Sequence, residues 1–114
     1  AMPRDLPIAN GNLFINFDPA NMILYGVGEP AEAVGVLGER IVHVHCKDAR
    51  WSQQPGKTWG QEVPLGQGQV DIARVISKLR AVGYAGPLVI EREAGADRIA
   101  DIREAIELLQ TLIC

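Results

Sequence analysis

Only two cysteines, Cys46 and Cys114, stand among the 114 residues. Their wide separation fits neither a metal-binding cysteine pair nor a disulfide framework. Cys46 lies inside an apolar run and is expected to serve as a small buried hydrophobe. Long apolar runs are missing too: stretches such as Pro87-Leu88-Val89-Ile90 fall far short of a membrane span. The first residues lack the basic start, apolar centre and small-residue cleavage site of a secretion signal. There is no surplus of positive charge, with eleven Lys and Arg against fourteen Asp and Glu and a net charge of −3. A protein that wraps nucleic acid gathers a basic surface, because neutralising phosphates releases counterions. Neither a nucleic acid nor a membrane is therefore expected as a partner. What remains is 47% hydrophobic and 22% charged, the composition of one ordinary globular domain. A reducing, cytoplasmic setting is expected.

The pattern that is present alternates strands with helices. Residues 13–17 are apolar and β-rich and stop at Asp18-Pro19, because proline gives no donor to a ladder. A short helical turn is expected over 21–24. Glu29-Pro30 then opens a helix with Ala33, Val34 and Leu37 on its apolar stripe and Gly38 as its C-terminal cap. The second strand covers 41–46. Residues 47–69 carry Pro55, Gly56, Gly60, Pro64, Gly66 and Gly68 and read as one loop, longer than ordinary connections and so a candidate for function. Asp71 is placed to cap a helix in which Ile72, Val75, Ile76 and Leu79 share one face, ending at Gly83. The third strand covers 88–91, and Asp97 opens a last helix with Ile99, Ile102, Ala105, Ile106, Leu109 and Leu112 inward. The order β-α-β-α-β-α implies parallel strands and an α/β fold. Residues 1–12 read as an irregular lead-in, and 13–114 as one domain.

Polar residues recur at equivalent places. The three strands run apolar into Asp18, His45 and Glu91, at ends that lie on one face of a parallel α/β protein, where ligand and catalytic residues collect. Carboxylate and imidazole together suit divalent metals. Taken singly, Asp18 could merely cap a turn, His45 could be a satisfied buried histidine, and Glu91 could pair with Arg92 or Arg98. Their coincidence at three strand ends favours one site. His43 lies two residues before His45, on the same side of its strand, where a supporting role in orienting a ligand is expected.

The segments Asn16-Phe17-Asp18-Pro19-Ala20-Asn21, His43-Val44-His45-Cys46-Lys47-Asp48, Val63-Pro64-Leu65-Gly66-Gln67-Gly68-Gln69-Val70-Asp71 and Gly83-Tyr84-Ala85-Gly86-Pro87-Leu88-Val89-Ile90-Glu91-Arg92-Glu93 together resemble the xylose isomerase-like superfamily, often called sugar phosphate isomerases/epimerases. The resemblance implies a (β/α)₈ TIM barrel, of which this chain would supply the last three β-α units. It also implies a divalent metal (Mn²⁺, Co²⁺, Zn²⁺ or Mg²⁺) held by a Glu, an Asp, a His and a second Glu. Carried over by motif, Asp18, His45 and Glu91 match the last three, and the first Glu would precede this sequence. Glu91 would be one of two acid/base carboxylates beside the substrate carbonyl. Many relatives have a histidine where Asn21 stands, and an amide cannot shuttle a proton at neutral pH. Lys47, Asp48 and Arg50 fall where relatives place substrate-contacting groups, although each also reads as a solvated loop edge. Trp51 and Trp59 would roof a sugar or anchor the loop.

A full barrel of this kind takes about 250 residues. Three parallel strands leave open edges, so self-association or a complementing barrel half is expected. The function expected is the C-terminal part of a sugar or sugar-phosphate isomerase/epimerase, inactive or weakly active as this short chain. The alternatives are a non-catalytic assembly or binding module, an inosose dehydratase-like lyase and an abasic-site endonuclease. The last would need more histidines than His43 and His45 and a less acidic chain.

Overall fold

The computed structural model describes residues 13–54 and 56–113. The expected lead-in over 1–12, Pro55 and Cys114 lie outside the described residues. The elements run β1 (Ile15–Phe17), α1 (Pro19–Tyr25), α2 (Pro30–Leu37), a 3-10 turn (Gly38–Arg40), β2 (Ile41–Cys46), β3 (Asp48–Arg50), β4 (Gln61–Val63), α3 (Ile72–Ala81), β5 (Leu88–Ile90) and α4 (Arg98–Ile113). β1, β2 and β5 form a parallel sheet in the order β1-β2-β5. Three consecutive β-α units are thus laid side by side, as the alternation of strands and helices requires.

Local chemistry starts and stops these elements. Asp18, extended at φ −121, accepts a hydrogen bond from the Asn21 N–H at 3.1 Å, with Pro19 opening α1 behind it. The helix therefore begins two residues before the turn expected over 21–24. Glu29 caps α2 by accepting from the Ala31 and Glu32 N–H groups. Asp71 caps α3 at φ 56, a left-handed conformation that an Asp side chain tolerates through local hydrogen bonding.

The core lies between the helices and one face of the sheet. Phe17, Ile41, Val44 and Cys46 pack there with Ala20, Ile23, Ala31, Val34, Val75 and Leu79, all buried. Pairing passes from Ile15 opposite Ile41 to Asn16 opposite His43, so Val42 is an extra residue on β2. This irregularity lets Ile41 stay in the core while His43 and His45 alternate with buried Val44 and Cys46.

Three expectations need correction. Residues 13 and 14 do not join β1: β2 begins only at Ile41, after the 3-10 turn, and Leu13 instead accepts a hydrogen bond from Arg40 through its carbonyl. The stretch 47–69 is not all loop, because β3 and β4 pair antiparallel inside it, with Asp48 opposite Val63. On α4 only Ala105 and Leu109 are buried, with Leu108 and Leu112 packed alongside, while Ile99 and Ile106 face outward. α4 packs mainly on β5 and α3, which cover one side of it, so a narrow apolar stripe suffices.

Candidate metal centre

Strand alternation builds the site. Asp18 follows β1, His45 precedes the last residue of β2, and Glu91 follows β5, whose ladder continues one step through the Glu91 N–H donating to the Cys46 carbonyl at 3.2 Å. Each offers one ligand atom, and these atoms all lie within 4.8 Å of one another. His45 Nδ1 is 2.7 Å from Glu91 Oε1. All three side chains are half-buried, leaving them open to one side of the sheet. Two carboxylates and an imidazole at this spacing fit the donor set of a divalent cation of borderline hardness. Glu91 does not turn to Arg92 or Arg98.

His43 sits one layer deeper on the same side. Its Nδ1 is 3.0 Å from Asn16 Oδ1, and its ring meets that of His45 edge-on at 5.0 Å. Its contacts are thus with Asn16 and with the histidine of the group. Asn21 stands in the first turn of α1 and contributes its backbone N–H to Asp18.

Lys47 is not a solvated loop edge. Its side chain is 5% exposed, and its Nζ lies 3.2 Å from Asp18 Oδ2, 3.4 Å from Glu93 Oε1 and 4.0 Å from Glu91 Oε2. Burial acts to lower the pKa of this ammonium, but Asp18 and then Glu93 outweigh it and hold it above the usual lysine value. On the helix side of the sheet, burial and then the charge of Asp18 push the Cys46 thiol up to about 12, which keeps it a neutral, buried thiol at neutral pH.

Asp48 is buried and bonded to the backbone around it. It is 1% exposed, and its carboxylate accepts from the backbone N–H groups of Ala49, Gly66, Gly68 and Val70 at 2.8–3.1 Å. A Cβ on Gly68 would lie 2.2 Å from Asp48 Oδ1, so the glycine is required for this close approach. Asp48 organises the segment 66–70; it has no lone pairs to spare for a ligand. Arg50 is exposed and points both Nε and Nη2 at the Gln67 carbonyl, each at 3.4 Å. Trp51 and Trp59 line a cleft of about 240 Å³ with Tyr25, and Trp59 meets Tyr25 edge-on at 5.3 Å. Both tryptophans stay exposed.

One network escaped the sequence. Arg92 reaches Glu62 Oε2 at 2.6 Å and Asp101 Oδ2 at 2.7 Å, and Glu62 also accepts from the Glu93 N–H. The side chains of Arg92 and Glu62 are each 8% exposed. β4, the segment after β5, and α4 are thereby tied together. The only sequence signal was an arginine directly beside Glu91, and nothing adjacent to it named Glu62 as the partner.

Comparison with known proteins agrees with this fold. The family described as "Xylose isomerase-like TIM barrel" matches residues 7–112. A xylose isomerase domain protein from Planctomyces limnophilus superimposes with TM-score 0.81 at 47% identity, over 91% of this chain and 37% of that one. A D-tagatose 3-epimerase-like protein gives TM-score 0.71 at 28% identity, over 96% of this chain and 38% of its own. The L-ribulose-5-phosphate 3-epimerase UlaE of Escherichia coli is 39% identical over 67 residues, 57% of this chain and 22% of that protein. The chain thus spans little more than a third of such relatives at most. Among the described residues, no helix is long and apolar enough to cross a membrane.

Proposed function

Because this chain belongs to the xylose isomerase-like TIM barrel family, we propose that it supplies the last three β-α units of a divalent-metal-dependent sugar or sugar-phosphate isomerase/epimerase site. The observation that carries this reading is the approach of Asp18, His45 and Glu91 within 4.8 Å. The names of the epimerase relatives point to the same chemistry.

Asp18, His45 and Glu91 would hold the cation, with Mn²⁺ or Co²⁺ as the first metals to try. When bound, it would polarise a carbonyl and stabilise negative charge developing beside it. Glu91 is the proposed acid/base group. Its carboxylate takes the proton from the carbon next to the carbonyl, and His45 on Oε1 fixes its orientation. Return of a proton from the opposite face needs a second carboxylate, expected on a strand this chain does not contain. The chain alone is therefore proposed to turn over weakly or not at all. Asn21 would donate to a substrate hydroxyl without moving a proton, and Arg50 would clamp a phosphate or hydroxyl by turning from the Gln67 carbonyl. A cytoplasmic location belongs to the same proposal.

A second reading, a non-catalytic assembly module, draws support from the sheet itself. Among the described residues, β1 and β5 each pair only with β2, so both outer edges are free to recruit another chain. Calorimetric titration with Mn²⁺ tests the first reading. Binding to the wild type is expected, weakened at least roughly 100-fold in Asp18→Ala and His45→Ala, beyond what loss of a supporting residue usually costs. No uptake by the wild type at millimolar metal would leave the assembly module as the better account.

A further inference from the structure

Resting on Asp18, His45 and Glu91 as the ligands, we propose that Lys47 is a built-in competitor of the cation: its ammonium is shared between Asp18 and Glu93 in the metal-free chain and is left to Glu93 alone when a metal takes Asp18. Residues 43, 45 and 47 alternate along β2 and one step beyond it, so Lys47 enters the group from the same side as His45. Its near-complete burial is sustained by the carboxylates around Nζ, at 3.2 Å (Asp18), 3.4 Å (Glu93) and 4.0 Å (Glu91). Two of these three are proposed ligands.

The two cations cannot share Asp18 at no cost. A dication placed among atoms 4.8 Å apart would stand within a few ångströms of the ammonium. In a half-buried setting, repulsion at that range shifts a binding constant by orders of magnitude unless one charge moves. Lys47 has the means to move. Its four-carbon stem is flexible, and Glu93, whose side chain is 68% exposed, already meets Nζ at 3.4 Å from the segment after β5, outside the ligand group. One residue thus stabilises the empty site and lowers its affinity for metal. A lysine that merely braced the ligands would act with the opposite sign, since its removal would loosen the site and weaken binding.

Calorimetric titration of the full chain with Mn²⁺ distinguishes these signs. Lys47→Met, which keeps the stem and removes the charge, is expected to bind Mn²⁺ at least about tenfold more tightly than wild type while melting lower in chelator. Lys47→Arg keeps the charge and should stay within about threefold of wild type. Glu93→Gln tests the same claim at an exposed side chain that does not endanger folding. By removing the partner left to Lys47 it should weaken Mn²⁺ binding several-fold, and unchanged or tighter binding would refute the role of Glu93. If wild type binds and Lys47→Met binds equally or less tightly, the competitor role is wrong and the ligand assignment stands. If neither protein takes up Mn²⁺ at millimolar concentration, both are wrong.

Discussion

At the scale of single residues, Asp48 shows how a buried carboxylate can be wholly structural. Each of its oxygens accepts two backbone N–H groups, Ala49 and Val70 on Oδ1, Gly66 and Gly68 on Oδ2. Asp48→Ala would leave these donors unpaired, and Asp48→Asn would set an NH₂ against two of them. Both substitutions are expected to lower stability by about 3 kcal/mol, since an unmet buried hydrogen bond costs about 1–3 kcal/mol and several are lost. Urea unfolding against a Gln53→Ala control measures this, and a harmless Asp48→Asn would contradict it. Lys47 carries a pH signature. Its folded pKa is raised above 10.5, so its contribution to stability is complete below that value and is lost as pH rises through the folded pKa. The stability gap between wild type and Lys47→Met should close in strong alkali; a constant gap would assign it to packing. Asp18, His45 and Glu91 were legible in the sequence because a metal-competent residue at each strand end breaks an apolar run. Asp48 and Lys47 were not. A charged residue just past a strand normally meets water, and only the folding back of 66–70 and the approach of Asp18 bury these two.

At the scale of elements, the parallel strands and their helices were readable from periodicity and caps: α3 buries Ile72, Val75, Ile76 and Leu79 as its spacing dictates. The β3–β4 hairpin was not, because each strand is three residues long and the glycines and prolines between them read as loop. Tertiary contacts hold this hairpin. Gly60 donates to the Leu24 carbonyl at 2.9 Å, and Glu62 meets Arg92. Arg92→Met would leave Glu62 and Asp101 without their cation. Hydrogen exchange at the amides of 61–63 and 91–95 is then expected to quicken at least about tenfold, with α3 unaffected. Unchanged protection at 61–63 would show that the backbone contact to α1 suffices. The same network ties the segment that carries Glu91 to β4 of the long loop.

At the scale of the whole molecule, the described residues form three strands of a barrel with two outer edges that pair with no further strand and one face that no described helix covers. Exposed β edges invite pairing, and the polar inner face with Asn16, His43 and the ligand group gives a lone sheet little to bury. Self-association is the expected outcome, and light scattering after size exclusion should give a multiple of the chain mass; a monomer stable at high concentration would contradict it. Mixing with a polypeptide that carries the remaining strands should raise turnover of a ketose, whereas a binding module would gain none. Narrower than either is the convergence of Asp18, His45 and Glu91 on one point that a divalent cation can occupy. Anomalous diffraction from a crystal of the chain soaked in Mn²⁺ tests it most directly. The account predicts a peak within about 2.0–2.3 Å of a carboxylate oxygen of Asp18, a ring nitrogen of His45 and a carboxylate oxygen of Glu91. A peak elsewhere, or none at saturating metal, would contradict it.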